Sequence, residues 1–217
     1  MNVSIDTLEQ YIKIWNIPKK DIKEVYKIGS FEFRQNYLIK FFENTHSLGS
    51  KIETIELLSL KDLEYLQKNY KVLHIGAIQG VAKSPTRLEL DKPIYVCLCD
   101  PRHNSFQDSL LGVMESNIIY GPVYFDYYMN LELSCIDNLS IHKALTLNSQ
   151  IKGYDMDPKL KKNILIVSKV YYKAMTSSIN PRYLLSSPKG KTILFQANDK
   201  HSSIMVPQVL PWEPLSQ

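Results

Sequence analysis

From Tyr70 onward the chain is dominated by short apolar runs that are rich in β-branched residues and separated by turn residues. The clearest runs are residues 72–78, 94–99 and 164–172, and each predicts a buried strand. Weaker runs predict further strands at 122–128 and 131–136, with a turn near Asn130 between them, and at 192–196. No long stretch of helical periodicity separates these runs, so parallel βαβ winding is not expected. The pattern favours an antiparallel β-sandwich or a closed barrel.

The N-terminal third has a mixed pattern. Asp6 is a suitable N-cap for a helix over residues 7–15. Ser59 and Asp62 resemble a capping box that opens a second short helix, through Lys68. The pattern between these helices fits either strand or helix and stays open.

These sequence patterns divide the chain into three parts. Residues 1–69 are expected to form a mixed N-terminal segment with a few short helices, and residues 70–200 a mainly β core. Residues 201–217 contain Pro207, Pro211 and Pro214 without periodicity, which indicates a flexible tail. The fold class is therefore mainly β.

Composition excludes several classes of protein. The 217 residues are 44% hydrophobic, enough for a substantial core. No apolar run is long enough to span a membrane, and the polar start MNVSIDTLEQ does not resemble a signal peptide. Three cysteines do not provide a disulfide scaffold and favour a reducing compartment.

The formal charge of +4 is unevenly distributed. Residues 151–200 carry ten basic and three acidic side chains, and this excess makes a polyanion a plausible partner. Tyrosines lie between the cations, a combination typical of sequence-tolerant binding to single-stranded nucleic acid. The alternatives are a solvated lysine face or lysines that protect an edge strand from aggregation. The candidate contacts are Lys159, Lys161, Lys162, Lys169, Lys173, Arg182, Lys189 and Lys191.

Four residues of metal-ligand type lie close together at the end of the strand at 94–99. Cys97 and Cys99 lie on one face of this strand, and Asp100 and His103 follow. Structural zinc sites usually pair two such knuckles, and Cys135 is the only other cysteine. Two small core cysteines are therefore the better interpretation, although a metal-dependent enzyme using these four residues stays as an alternative.

The sequence offers no constellation for catalysis. It contains no GxSxG elbow and no GxxxxGK[ST] phosphate loop. The histidine in the strand at 72–78, His74, is expected to be a satisfied core residue. No enzymatic activity and no cofactor are predicted.

Residues 98–102 (LCDPR) resemble the LxD signature of the thirty-kilodalton superfamily of plant-virus movement proteins, and the context resembles its caulimovirus-type branch. The resemblance continues in order over about residues 70–185, at LHIGAIQ (73–79), QDSLLGV (107–113), YGPVYFD (120–126), MNLELS (129–134), ALTLN (144–148), VYYK (170–173) and NPR (180–182).

The resemblance implies an antiparallel jelly-roll-like β-sandwich. It also implies a non-enzymatic protein that binds single-stranded nucleic acid, DNA or RNA, and mediates cell-to-cell transport of a viral genome through plasmodesmata. Implied partners are further copies of the chain in oligomers or tubules, host plasmodesmal proteins, and the coat protein or virion. The implied location is the plasmodesmata and cytoplasm of a host plant cell. The alternative is a capsid-like structural jelly roll that self-assembles without a transport role.

By position, Leu98, Asp100 and Arg102 are the signature residues. An Asp that ends a buried strand before a proline can accept hydrogen bonds from loop N–H groups or pair with Arg102. Asp100 is therefore predicted to determine fold or assembly rather than to act as a catalyst.

Overall fold

A computed structural model describes residues 21–27, 37–48, 52–83, 93–117, 123–136, 141–151, 164–177, 193–196 and 206–209. The described helices are short: α1 (Ile22–Val25), α2 (Leu60–Asn69), α3 (Phe106–Ser109) and a 3-10 turn at Ile141–Lys143. The described strands are β1 (Tyr37–Leu48), β2 (Ile52–Glu56), β3 (Val72–Lys83), β4 (Pro93–Cys99), β5 (Leu110–Asn117), β6 (Val123–Ser134), β7 (Thr146–Ile151), β8 (Ile164–Met175), β9 (Ile193–Gln196) and β10 (Val206–Val209).

The strands form two sheets. One has the order β1-β8-β3-β6, and all its pairs are antiparallel. The other has the order β10-β9-β5-β4-β7-β2, in which only the β5–β9 pair is parallel. Within the first eight strands, the first, eighth, third and sixth therefore face the second, seventh, fourth and fifth. This is the strand order of an eight-stranded jelly roll, and it confirms the predicted fold class.

The core lies between the two sheets because alternate residues of facing strands point inward. On β4, Ile94, Val96 and Leu98 are buried in the main apolar cluster. Phe125 of β6 packs so closely on Gly80 of β3 that a Cβ at Gly80 would lie 2.0 Å from its Cζ. Gly80 and Phe125 are paired neighbours in the four-stranded sheet, so the absence of a side chain at Gly80 makes room for the Phe125 ring in the core cluster.

One predicted turn is absent. The two strands expected on either side of Asn130 are one continuous strand, β6. Asn130 has a φ of 50°, and the pairing with β3 shifts register between Ile75 and Ala77. Asn tolerates this left-handed conformation, which a turn and a β-bulge both use. The sheet pairing continues through it.

The predicted division at residue 70 does not follow the sandwich. β1 and β2 precede it and are strands of the two sheets, with α2 connecting β2 to β3. α2 begins after Ser59 as predicted, but Ser59 makes no side-chain capping bond. β10 lies within the segment predicted as a tail and pairs with β9. The helix predicted over 7–15 lies outside the described residues.

A short N-terminal segment lies across the outer face of the four-stranded sheet. Asp21 and Glu24 form a capping box at α1, and the following Val25 and Tyr26 are fully buried against this face. A Cβ on Gly76 would lie 2.7 Å from both Tyr26 Oη and Val25 Cγ1. Gly76 thus allows the segment its close approach to the sheet.

Candidate functional site

The Asp100 loop, residues 100–109, connects β4 to β5. Asp100 is buried, with 1% of its surface exposed. Its backbone N–H donates to the carbonyl of Ser109 over 2.7 Å, and this bond joins the two ends of the loop. Leu98, two residues earlier, is buried in the core between the sheets. The LxD pattern therefore places the Leu98 side chain in the core and the Asp100 side chain at the base of the loop.

Arg102 binds the Asp100 carboxylate from within this loop. Its Nε donates to Oδ1 over 2.8 Å and its Nη2 to Oδ2 over 2.5 Å. Its backbone N–H also donates to Oδ1 over 3.2 Å. The side chain of His103 lies farther away, with Nε2 3.9 Å from Oδ2. A fork-like guanidinium contact of this kind is a strong charge-assisted pair. Asp100 thus makes both of the contacts that the sequence offered as alternatives, one with the Arg102 side chain and one with a loop N–H.

The far side of the Asp100 loop is held by serine caps. Ser105 Oγ accepts from the backbone N–H of Asp108 over 3.1 Å and donates to its carboxylate over 2.7 Å. Ser109 donates through Oγ to the carbonyl of Phe106 over 2.7 Å. These contacts hold α3 and leave the Phe106 side chain 61% exposed. These contacts were not among the sequence predictions, although Ser105 three residues before Asp108 is a recognisable N-cap pattern.

The candidate metal ligands do not assemble into a site. Burial raises the pKa of Cys97 and of Cys99, which favours neutral thiols over metal-binding thiolates. Both carboxylate oxygens of Asp100 are bound by Arg102. Within the described ranges no group of three or more His, Cys, Asp or Glu residues could hold a metal ion.

Two of the predicted nucleic-acid contacts lie on the central strand β8 and are buried. Lys169 is 7% exposed, and its Nζ lies 3.3 Å from Glu43 Oε2 and 5.5 Å from the Phe41 ring centre. Lys173 is 2% exposed, with Nζ 4.4 Å from the Tyr37 ring centre. The expectation of exposed cations fails for these two, because both faces of β8 are covered. The other candidates, Lys159, Lys161, Lys162, Arg182, Lys189 and Lys191, lie outside the described residues.

The tyrosines of β8 are also structural. Tyr171 lies on the outer face and donates to Gln79 Oε1 over 2.6 Å. Tyr172 faces the core and stacks on Phe42, with ring centres 4.3 Å apart, as alternation along a strand requires. Burial raises the pKa of Tyr172 to about 12.

His74 is a satisfied buried histidine, as predicted. Its Nε2 lies 3.0 Å from Asn130 Oδ1, and its Nδ1 lies 3.0 Å from the Tyr26 hydroxyl. That hydroxyl also donates to the His74 carbonyl over 2.9 Å. Burial lowers the pKa of His74, so the group is mainly neutral near pH 7. Its partner Tyr26 lies on the segment 21–27 that crosses the outer face of the sheet, and the sequence alone did not identify this contact.

The part of the chain that the structure describes contains no helix that is both long enough and apolar enough to cross a membrane.

Comparison with known proteins gives a consistent family. The sequence profile of the viral movement protein family (MP) matches residues 14–180. The movement protein of Cauliflower mosaic virus (strain BBC) is 30% identical over 113 residues, covering 52% of this chain and 34% of that protein. The movement protein of Carnation etched ring virus is 29% identical over 112 residues, covering 52% and 35%. The chain thus spans about a third of the length of the curated relatives it matches.

Among solved structures, the chain is similar to one from Desmodium yellow mottle tymovirus. The TM-score is 0.46 at 13% sequence identity, covering 80% of this chain and 94% of that chain. The jelly-roll assignment rests on the strand order of the two sheets.

Proposed function

Because the chain belongs to the viral movement protein family, we propose that it mediates the transport of a viral genome between the cells of a host plant. The observation that carries this proposal is the family match over residues 14–180, which includes most of the jelly roll. The caulimovirus relatives named movement protein support the same role. We place the site of action at plasmodesmata, where the cytoplasm of neighbouring plant cells is continuous.

A genome that moves as nucleic acid must be bound by its carrier, and we assign this contact to the basic stretch between β7 and β9. Lysines that neutralise phosphates supply sequence-independent affinity for single strands. Since Lys169 and Lys173 are buried in the sandwich, the contact falls to the remaining candidates. These are Lys159, Lys161, Lys162, Arg182, Lys189 and Lys191.

Self-association, which a tubule requires, is part of the same proposal, together with contacts to host plasmodesmal proteins and to the coat protein or virion. The Asp100 carboxylate is bound by the side chain and the backbone N–H of Arg102, and the Asp100 N–H donates to the Ser109 carbonyl, so contacts within the Asp100 loop hold it in shape. The loop can therefore present a preformed surface to any of these partners.

The test is cell-to-cell spread in leaf tissue. A fluorescent fusion of the full chain is expressed in single epidermal cells, beside the fluorescent protein alone and an Asp100→Ala fusion. We expect wall-associated puncta and signal in neighbouring cells for the wild-type fusion, and loss of both in the variant. Fluorescence that stays diffuse and within the first cell for the wild-type fusion would contradict the proposal.

The second candidate, a capsid-like structural protein, is favoured by the jelly-roll strand order, which viral capsid domains share. It predicts closed particles or rings of the purified protein, seen by electron microscopy, and negligible binding to naked single strands. Strong single-strand binding without closed particles would decide for the transport protein.

A further inference from the structure

The Asp100 loop contains a serine within a sequence pattern that the proposed function does not use. Residues 102–106 read RHNSF, so Arg102 lies three residues before Ser105, and Phe106 follows it directly. Basophilic serine kinases recognise this pattern, because an acidic cleft binds the arginine and a neighbouring pocket takes the apolar side chain. Of the arginines in the sequence, Arg102 alone is followed three residues later by a serine or a threonine.

The whole pattern is accessible, since residues 102–106 are all exposed. Phe106 is 61% exposed, and Arg102 keeps 36% of its side chain exposed while it binds Asp100. Ser105 has an extended backbone, with φ −106° and ψ 148°, as a peptide segment in a recognition cleft requires. The phosphate acceptor and both of its recognition residues therefore lie together on one exposed loop.

The hydroxyl of Ser105 is part of the contacts that hold α3. Its Oγ donates to Asp108 Oδ2 over 2.7 Å and accepts from the Asp108 N–H over 3.1 Å. A phosphoester oxygen has no proton to donate, so phosphorylation removes the first of these bonds. It also adds a charge of about −1.5 to −2 beside the Asp108 carboxylate. The two anionic groups repel each other, and α3 loses the contact at which it begins.

Two basic side chains of the same loop are suited to bind the new phosphate. Arg102 already holds a carboxylate through Nε and Nη2, and the same fork fits a phosphate. The side chain of His103 is 54% exposed, and its Nε2 lies 3.9 Å from Asp100 Oδ2. A phosphate on Ser105 therefore competes with Asp100 for both side chains.

We propose that Ser105 is a phosphorylation site for a serine kinase that recognises Arg102 and Phe106, and that phosphate there opens α3 and weakens the Asp100–Arg102 pair. In the transfer, the Ser105 oxygen forms a bond to the γ-phosphorus of ATP. The bond from that phosphorus to the β,γ-bridging oxygen breaks, and ADP leaves with the electron pair. The hydroxyl proton passes to the catalytic carboxylate of the kinase. This inference goes beyond the proposed transport function and does not depend on it.

The first experiment is phosphorylation of the purified full chain. The probe is Mg-ATP with the catalytic domain of a calcium/calmodulin-dependent kinase, which requires an arginine three residues before the serine. We expect phosphate on Ser105, located by peptide mass spectrometry, and its loss in Ser105→Ala. Ser134→Ala is the matched control, because Ser134 is exposed but has no arginine before it. No phosphate on Ser105, or equal incorporation into the wild type and Ser105→Ala, would overturn the inference.

A second variant tests recognition by the kinase. Arg102→Gln should lower kcat/KM of the kinase for this chain by about tenfold or more, the loss expected for one charge-assisted contact. Loosening of the loop in this variant exposes Ser105 further and speeds transfer, so a fall in rate reports lost recognition. An unchanged or higher rate would show that the kinase does not read Arg102, against the inference.

Amide hydrogen exchange tests the effect of the phosphate on the loop. The Asp108 N–H is bound by Ser105 Oγ, and the Ser109 N–H donates to the Ser105 carbonyl over 3.0 Å. Both amides should exchange faster in the phosphorylated chain, while the amides of the buried strand β8 keep their rates. Equal or slower exchange of Asp108 and Ser109 after phosphorylation would refute the opening of α3.

Discussion

Arg102 occupies both carboxylate oxygens of Asp100 from a position only two residues further along the chain. The carboxylate is almost fully buried while the guanidinium is about one-third exposed. A buried charge is tolerated when it is paired and hydrogen-bonded. The signature Asp therefore stabilises the loop that follows it, and both of its carboxylate oxygens are bound within that loop.

Removing either partner of this pair should lower stability. Arg102→Ala leaves a buried carboxylate with one backbone donor, and we expect a loss of about 2–4 kcal/mol in the free energy of unfolding. Asp100→Ala should cost about 1–3 kcal/mol, less because the remaining guanidinium reaches solvent. Urea denaturation of both single variants and the double variant measures the coupling. Costs that simply add would show that the two side chains do not act as a pair.

Gly80→Ala should destabilise the sandwich, because the new Cβ would lie 2.0 Å from Phe125 Cζ. Overpacking of a core of this kind costs about 1–3 kcal/mol. The second-site change Phe125→Leu should restore part of this loss in the Gly80→Ala background while it destabilises the wild type. Thermal melts of the four proteins test the expectation, and a fully stable Gly80→Ala protein would disprove the close packing.

Charge-neutral substitution of Lys159, Lys161 and Lys162 should weaken binding to single strands and flatten its salt dependence. Each lost phosphate contact lowers the slope of log K against log salt by about 0.7, so three contacts lower it by about 2. Lys169→Gln is the matched control, since this lysine pairs with Glu43. It should reduce stability rather than affinity. An unchanged slope of log K against log salt in the triple variant would contradict the assignment of the nucleic-acid contact to these three lysines.

Stability should fall as the pH is lowered from about 7 towards 5.5, in part through His74. Burial lowers its pKa in the folded protein below the ordinary value of 6.5. The unfolded chain therefore takes up the proton first, and the loss begins near that ordinary value and stops once the folded-state pKa is passed. The slope contributed by one group is at most about 1.4 kcal/mol per pH unit.

The variant His74→Gln checks this assignment by urea denaturation across the same pH range. The variant keeps a polar side chain and should reduce the slope of the free energy of unfolding against pH. This holds whatever pH-independent loss of stability the substitution causes. Burial also lowers the pKa of His46, and the charge of Glu53 opposes this shift. His46→Gln should therefore remove a separate part of the pH-dependent loss of stability. A slope identical to the wild type in both variants would contradict the histidine origin.

The thiols should be unreactive in the folded protein. Burial raises the pKa of Cys135 to about 11 and also raises that of Cys97 and Cys99, so thiolate is scarce at pH 8. A chromogenic disulfide reagent should modify the buried Cys99 and Cys135 only when urea unfolds the chain. Elemental analysis of the purified protein should find no stoichiometric zinc. Rapid modification of all three cysteines in the native protein would contradict the burial of Cys99 and Cys135.

Much of the strand content was predictable. The runs at 94–99 and 164–172 became β4 and β8, because their β-branched and apolar residues fit a buried strand wherever it pairs. β1 could not be assigned, since an edge strand with exposed Lys40, Phe41 and Glu43 has no clean alternation. The resemblance located Asp100, and the chemistry of an Asp before a proline already suggested its pairing with Arg102.

The sequence by itself determined the strand-rich texture, the family signature and the concentration of positive charge, because these follow from residue types and local spacing. Only the tertiary structure decided that Lys169 and Lys173 are buried and that Tyr26 meets His74. Each of these depends on which strands become neighbours. Strand pairing joins residues far apart in the chain, and no local pattern of hydrophobicity specifies that choice.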